Sequence, residues 1–248
     1  MATQQRRAIG NGEIAYEIVG SGSLELVFLH EGLGSIELWR SFPSDVTAAV
    51  GAAGLVYDRR GHGRSSPMSK ARSITYLHEA ADELGQVLAA FDIERPVLIG
   101  HSDGATIALI HATRHPVSGL VLIAPHVYVE AAATGGIAKT DENSQRLIAR
   151  LERYHDRGSE LYAAWRDTWL APEFADWTIE AEIRGLAVPM LLIQGSDDEY
   201  GTLEQLDRID HATVGPVTRL VIGAAGHSPH LSHPPAVTNA VVDFAASL

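Results

Sequence analysis

Short, continuous apolar runs alternate with helical segments along most of this 248-residue chain, and this alternation constrains the fold more than any other feature. Apolar runs of three or four residues indicate strands that are buried on both faces. The segments between them carry apolar residues at helical spacing. Strand alternating with helix predicts an α/β fold with a mostly parallel sheet and right-handed crossovers. The apolar runs occupy residues 26–29, 55–57, 97–99, 120–123, 190–193 and 220–222, and the helical segments include residues 74–91, 106–115, 203–211 and 236–244.

The domain organisation follows from two departures from this alternation. Asn11-Gly12 lies between strand-like residues, so the chain is expected to open with an antiparallel hairpin. Residues 131–186 show helical patterning but no strand-like run. We therefore predict one core, residues 1–125 and 187–248, with a helical cap inserted at residues 126–186. The length is sufficient for a single large domain with its own apolar core.

Composition excludes several classes of function. The chain has no cysteine, so disulfides, thiolate metal sites and cysteine catalysis are excluded. A formal charge of −12 disfavours nucleic acid as a partner. No apolar run approaches the length of a membrane span, and no apolar segment of a secretory signal follows Arg6-Arg7. We expect a soluble cytoplasmic protein without membrane contacts; the sequence leaves a homodimer open.

The strongest local motif is Gly100-His101-Ser102-Asp103-Gly104, between a strand-like and a helix-like run. A serine hydroxyl is a weak nucleophile at neutral pH, so an enzyme that uses one must expose and activate it. A sharp strand-to-helix turn does this, and glycines two residues before and after the serine allow the backbone to close up. The motif predicts that Ser102 is a nucleophile.

Polar residues also follow the other buried strands, where ligands of a doubly wound sheet bind. His30-Glu31-Gly32 follows the first run, and Asp58-Arg59-Arg60-Gly61-His62-Gly63-Arg64-Ser65 follows the second. Asp197-Asp198 follows the fifth and His227 the sixth. A nucleophile, an acid and a base therefore occur along the chain in the order Ser, Asp, His.

In these motifs the chain resembles the α/β-hydrolase superfamily over essentially its whole length. The resemblance implies an eight-stranded sheet flanked by helices, with Ser102 as nucleophile and His227 as base. It also implies an aspartate that orients the base; the spacing from Gly195 favours Asp198, with Asp197 as the alternative. By the same resemblance, the backbone N–H groups of Gly32 and Asp103 form the oxyanion hole.

Glu31 stands where relatives usually carry glycine. Its carboxylate and that of Asp103 would place negative charge beside the developing oxyanion, unless each points away, is protonated or pairs with a cation. Arg59, Arg60 and Arg64 are candidate cations. The predicted substrate-binding residues are Glu31, His126, Tyr128, Trp165 and Trp169.

No metal or cofactor is predicted. His227, His230 and His233 recur every three residues, but the prolines among them disfavour the continuous helix that would align them on one ion. The sequence thus predicts a serine hydrolase that cleaves a small or medium apolar carboxylic ester through an acyl-enzyme. The same fold also hosts lactonases, thioesterases and carbon–carbon hydrolases, which remain alternatives. A ligand receptor with slow or no turnover is the alternative from a different class.

Overall fold

The computed structural model describes residues 4–68 and 71–248. Its centre is one eight-stranded sheet in the order β1-β2-β4-β3-β5-β6-β7-β8. β2 pairs antiparallel with both of its neighbours, and every other pairing from β3 to β8 is parallel. The predicted mostly parallel sheet is confirmed. The strands are β1 (Gln5–Ile9), β2 (Gly12–Gly20), β3 (Leu24–Leu29), β4 (Ala53–Tyr57), β5 (Val97–His101), β6 (Gly119–Ile123), β7 (Met190–Gly195) and β8 (Val217–Ile222).

Helices cover both faces of this sheet, and two apolar clusters fill the spaces between the layers. The helices are α1 (Phe42–Val50), α2 (Tyr76–Ala90), α3 (Asp103–Ala112), α4 (Ala131–Asp141), α5 (Ser144–Tyr154), α6 (Gly158–Trp169), α7 (Glu204–Ala212), α8 (Pro229–Ser232) and α9 (Pro234–Ala245). Short 3-10 segments lie at Ile36–Trp39 and Pro172–Phe174. None of the helices in the described part of the chain combines the length and apolarity that crossing a membrane requires.

The strand and helix that flank Ser102 lie deep in the core. Every residue of β5 and of α3 is buried. β5 lies between β3 and β6 in the sheet, and α3 packs against α2 and the strands below it. Because a close-packed interior leaves side chains and backbone little freedom, this burial holds the β5–α3 turn in one conformation.

Between β6 and β7 lies the longest departure from the alternating pattern, residues 124–189, which we call the β6–β7 insertion. It contains α4, α5 and α6, and a single bridge between Tyr128 and Thr178 is its β pairing among the described residues. α4 lies within residues 131–186, where the sequence shows helical patterning, although it contains Gly135 and Gly136 and glycine disfavours helix interiors. α1 was missed, and α3 begins at Asp103 rather than Thr106.

Candidate active site

Ser102 occupies a strained turn between β5 and α3. Its backbone adopts φ 53° and ψ −117°, a conformation that non-glycine residues rarely hold. The Ser102 N–H donates to the carbonyl oxygen of Ile123 on β6 at 2.8 Å, which fixes the turn to the neighbouring strand. Strain that is maintained by such surroundings is typical of functional sites.

The two flanking glycines permit this turn because the backbone passes too close for a side chain. A Cβ atom at Gly104 would lie 1.9 Å from the carbonyl oxygen of Leu29, and one at Gly100 would lie 2.4 Å from the carbonyl oxygen of Gly104. Any larger residue would push α3 away from β3 or open the turn. The spacing of the G-x-S-x-G motif therefore follows from backbone packing around Ser102.

Asp198 and His227 form a charge-assisted pair beyond the ends of β7 and β8. Both carboxylate oxygens of Asp198 lie 2.9 Å from Nδ1 of His227. The carboxylate also accepts hydrogen bonds from the backbone N–H of Tyr200 at 2.8 Å and from Nε2 of Gln194 at 2.8 Å. Burial raises the pKa of Asp198, but the charge and hydrogen bond of His227 outweigh it, so the net pKa is lowered and the group is ionised.

Asp197, the alternative acid, lies in a different environment. It is exposed, and its carboxylate accepts a hydrogen bond from the hydroxyl of Ser196 at 2.8 Å. The side chain of Asp198, in contrast, is fully buried beside His227. The geometry thus brings Asp198, and not Asp197, against the imidazole.

The imidazole of His227 is surrounded by negative charge. Burial lowers its pKa, but the carboxylate of Asp198 outweighs burial, and Glu199 and Glu31 act in the same direction. The net pKa of His227 is raised above its ordinary value. Its Nδ1 faces Asp198, which leaves Nε2 as the nitrogen available for proton transfer.

Ser102 and His227 line one cavity of about 200 Å³ at the carboxyl ends of the parallel strands. One side of it, which we call the floor, comes from core loops: Glu31, Gly32, Leu33, Leu38, His101, Ser102, Asp103, Glu199, Tyr200, His227 and Ser228. The other side, which we call the wall, comes from the β6–β7 insertion: His126, Ala133, Ile137, Leu147, Arg150, Leu151, Trp165 and Trp169.

Two backbone donors on the floor are available to a ligand. Within the described residues, the N–H groups of Gly32 and Asp103 have no hydrogen-bond acceptor. Both residues line the cavity beside Ser102. The Oγ of Ser102 likewise has no hydrogen-bond partner among these residues, so its hydroxyl is free to face a ligand. Serine hydroxyls and their bases often close to hydrogen-bond distance only when substrate is bound.

The carboxylates of Glu31 and Asp103 are held by uncharged or histidine partners rather than by arginine. Glu31 Oε2 lies 3.5 Å from Nδ1 of His101. Burial raises the pKa of Glu31, but the hydrogen bond and charge of His101 outweigh it and the net pKa is lowered. Asp103 accepts a hydrogen bond from the phenol of Tyr76 at 3.0 Å.

The arginines that follow β4 serve other groups. Arg59 donates to the main-chain oxygen of Glu31 at 2.8 Å rather than to its carboxylate. Arg60 pairs with Glu83 at 3.0 Å, and Arg64 pairs with Asp156. The suggestion that this loop neutralises Glu31 or Asp103 is therefore not supported by the contacts.

Four of the five predicted substrate-binding residues line the cavity, and Tyr128 does not. Its ring packs under the guanidinium of Arg208 at 3.7 Å, and its hydroxyl donates to Glu130 at 3.4 Å. The bridge from Tyr128 to Thr178 is formed at the same place. Because Tyr128 follows β6 closely, it was expected to line the cavity. These contacts instead hold its ring outside the cavity, between the insertion and α7.

His126 lies where the sequence placed it, buried on the wall with its ring 5.8 Å from that of His227. Burial, together with the nearby charge of His227, lowers the pKa of His126 to about 3, so this side chain is neutral at physiological pH. Among the described residues, no group of three or more His, Cys, Asp or Glu side chains is arranged to hold a metal ion. His230 instead packs against Trp39 and His101.

Comparison with known proteins identifies the family of this chain. A model of the alpha/beta hydrolase family matches residues 26–241. The chain belongs to the alpha/beta hydrolase family.

Relatives of this alpha/beta hydrolase differ in function. The protein of Escherichia coli O7:K1 named "Putative carbamate hydrolase RutD" is 29% identical over 163 residues, which are 63% of this chain and 55% of the relative. This chain therefore matches little more than half the length of that relative. Among solved structures, an esterase from Exiguobacterium antarcticum has a TM-score of 0.78 at 18% identity, over 99% of this chain and 100% of the other. The enol-lactonase from Burkholderia xenovorans has a TM-score of 0.73 at 20% identity, over 98% of this chain and 100% of the other.

Sequence reasoning missed several cavity residues of this alpha/beta hydrolase. His101 lines the cavity although the motif gives it no role; its Nε2 lies 2.8 Å from the main-chain oxygen of His227, while its Nδ1 faces Glu31. Glu199 accepts from the N–H of His227 at 3.1 Å. The position of Glu199 next to Asp198 could have identified it as a cavity residue. No feature of the sequence indicated that Arg150 on α5 lines the cavity.

Proposed function

We propose that this protein is a serine hydrolase that cleaves small or medium-sized, uncharged carboxylic esters through an acyl-enzyme. The observation that carries the proposal is the Asp198–His227 pair, whose imidazole lines the same cavity as Ser102 on its strained turn. A nucleophile, a base and a group that orients the base are the minimum set for this chemistry. Family membership supports hydrolysis, and the residues support the serine mechanism.

In the proposed mechanism, Ser102 Oγ attacks the ester carbonyl carbon while Nε2 of His227 takes the hydroxyl proton. Asp198 holds the imidazole in the tautomer that leaves Nε2 free to accept, and it stabilises the imidazolium. The oxyanion accepts hydrogen bonds from the N–H groups of Gly32 and Asp103, and each such donor contributes about 3–4 kcal/mol to the transition state. His227 then returns the proton to the departing alcohol as the carbon–oxygen bond breaks.

Hydrolysis of the acyl-enzyme repeats these steps with water as the nucleophile. His227 takes a proton from water, the hydroxide oxygen bonds to the acyl carbon, and the proton returns to Ser102 Oγ as the acid leaves. No metal or cofactor takes part in this proposed cycle.

The size and charge of the cavity support the substrate class. Its volume of about 200 Å³ is below that of typical sites for drug-sized ligands, so we infer a short acyl group. Six of the wall residues are apolar, and the insertion acts as a cap that covers the nucleophile. Glu31, Asp103 and Glu199 outnumber the one arginine on the cavity surface, Arg150, which disfavours anionic substrates.

Labelling with a fluorophosphonate probe tests the mechanism. Intact-mass measurement should show one adduct on the wild-type protein and none on Ser102→Ala, which should also lose at least about 10⁴-fold in ester turnover. Far-UV circular dichroism of both proteins provides the control for folding. An unlabelled wild-type protein would exclude the nucleophile and favour the receptor alternative.

A substrate panel then distinguishes the reactions that this fold supports. Matched acetyl, butyryl and octanoyl esters, a carbamate, a thioester, a lactone and a succinyl ester cover the alternatives. We expect the highest kcat/KM for a neutral short-chain ester. A preference for the succinyl ester that is lost in Arg150→Gln would show that the cavity selects a carboxylate, and would overturn the proposed substrate class.

A further inference from the structure

A second cavity, of about 410 Å³, lies between the loop that follows β4 and helix α2. We call it the arginine cavity, because it is lined by Arg59, Arg60 and Arg72 together with Tyr76, Glu79 and Glu83. It has no residue in common with the cavity that contains Ser102. No step of the proposed hydrolysis uses it.

The two carboxylates of the arginine cavity already have partners. Glu83 lies 3.0 Å from Nε of Arg60 and also accepts the backbone N–H of Arg60 at 3.1 Å. Glu79 accepts hydrogen bonds from the hydroxyls of Ser73 and Thr75 at 2.9 and 2.8 Å. Glu83 therefore compensates the charge of Arg60. The carboxylate of Glu79 is occupied by hydrogen bonds at the start of α2.

Arg59 and Arg72 have no such compensation. Arg59 is only 3% exposed; its Nη2 donates to main-chain oxygens, and its Nε has no partner in the described part of the chain. Arg72 lies 4.4 Å above the ring of Tyr76, and its Nε and Nη1 are buried without a hydrogen-bond partner among the described residues. Neither guanidinium forms an ion pair with a described carboxylate within 4.0 Å.

Buried cations without a counter-charge are energetically costly. Desolvation of an unpaired charge costs several kcal/mol, and each buried N–H without an acceptor adds to that cost. Burial lowers the pKa of Arg72 and outweighs the opposing effects of Tyr76 and the carboxylate of Asp103; repulsion from Arg59 adds to the effect of burial. An anion between the two side chains would satisfy both the charge and the unpaired donors.

We propose that the arginine cavity binds a small oxyanion, a phosphate or a carboxylate, between the guanidinium groups of Arg59 and Arg72. Guanidinium groups present planar pairs of N–H donors that match the oxygens of both anions. The cavity is large enough for a small phosphorylated or carboxylated metabolite as well as for the free ion. The site is independent of the proposed hydrolase activity.

Binding can be tested on the full-length protein by thermal unfolding and isothermal titration calorimetry. Sodium phosphate and sodium malonate are titrated separately against sodium chloride at matched pH and ionic strength. The effective anion should raise Tm by about 3–6 °C at roughly ten times its Kd. The two titrations distinguish a phosphate site from a carboxylate site.

Four variants at three arginines locate the effect. Arg72→Gln should weaken anion binding at least tenfold, and Arg72→Lys should weaken it less because the charge remains without the paired donors. Arg95→Gln removes an exposed arginine before β5 and should bind like wild type. Arg150→Gln removes the arginine of the Ser102 cavity and should also bind like wild type.

Four results would overturn the proposal. These are no Tm shift and no binding heat with either anion, an equal shift with chloride, unchanged binding in both Arg72 variants, or binding that is lost in Arg150→Gln but kept in Arg72→Gln. Circular dichroism establishes that each variant is folded. If Arg72→Gln does not fold, Arg72→Lys and the wild-type titrations still decide the question.

Discussion

The floor and the wall of the Ser102 cavity are built on different principles. Most floor residues are polar apart from Leu33 and Leu38, and they lie in loops at the strand ends. Asp198 behind the floor has four protein donors at 2.8–3.2 Å. Wall residues are mainly apolar and belong to helices of the β6–β7 insertion. Directional bonds fix the positions of reacting groups, whereas apolar packing defines a shape. The floor should therefore determine rate, and the wall should determine which substrate fits.

The largest effect is expected behind the floor, at the acid that orients His227. Asp198→Asn should lower kcat about 10³–10⁴-fold, because an amide at this position can favour the wrong imidazole tautomer. Asp197→Asn is the matched control, since it makes the same change in an exposed side chain one position away. Steady-state kinetics on a neutral ester gives the ranking; equal losses in both variants would contradict the assignment.

A smaller effect is expected on the wall. Trp169→Phe should change kcat/KM by roughly tenfold, mainly through KM and with different sizes for short and long acyl chains, because it reshapes an apolar surface. Trp177→Phe is the matched control. Both indoles pack on Phe174 and bury an Nε1 without a partner in the described chain, but only Trp169 lines the cavity.

Stability of the two tryptophan variants should fall by similar amounts. If Trp177→Phe changed substrate preference as strongly as Trp169→Phe, the wall would act through the packing of the whole insertion. The distinction between floor and wall would then fail.

The smallest effect is a shift in pH dependence. In the proposed mechanism His227 must be neutral to accept the proton of Ser102, so activity should fall as pH drops through its raised pKa. Glu199 helps to raise that pKa. Glu199→Gln should therefore move the acid limb of the kcat/KM profile to lower pH, whereas Glu173→Gln, an exposed carboxylate on the insertion, should leave it unchanged. A shift to higher pH would contradict the electrostatic account.

The sheet and the nucleophile turn could be read from the sequence because they depend on local chemistry. Four-residue apolar runs predict buried strands wherever they occur. The glycines around Ser102 mark a close backbone approach that only glycine permits. The eight strands were implied by the family resemblance, and the topology agrees with that number, whereas their order came only from the structure. Helix α4 forms within the packed insertion although its two glycines are unfavourable in a helix interior.

Tertiary structure alone decided which side chains meet. Asp197 and Asp198 are chemically identical neighbours, and only the fold brings one of them to His227. Glu31 could have paired with an arginine, but His101 faces it, while Tyr128 lies outside the cavity against Arg208. Contacts of this kind bring residues that are far apart in the sequence to within a few ångströms of each other. Local propensity determines where strands and turns form, but the packing of the whole chain determines which polar atoms come within hydrogen-bond distance.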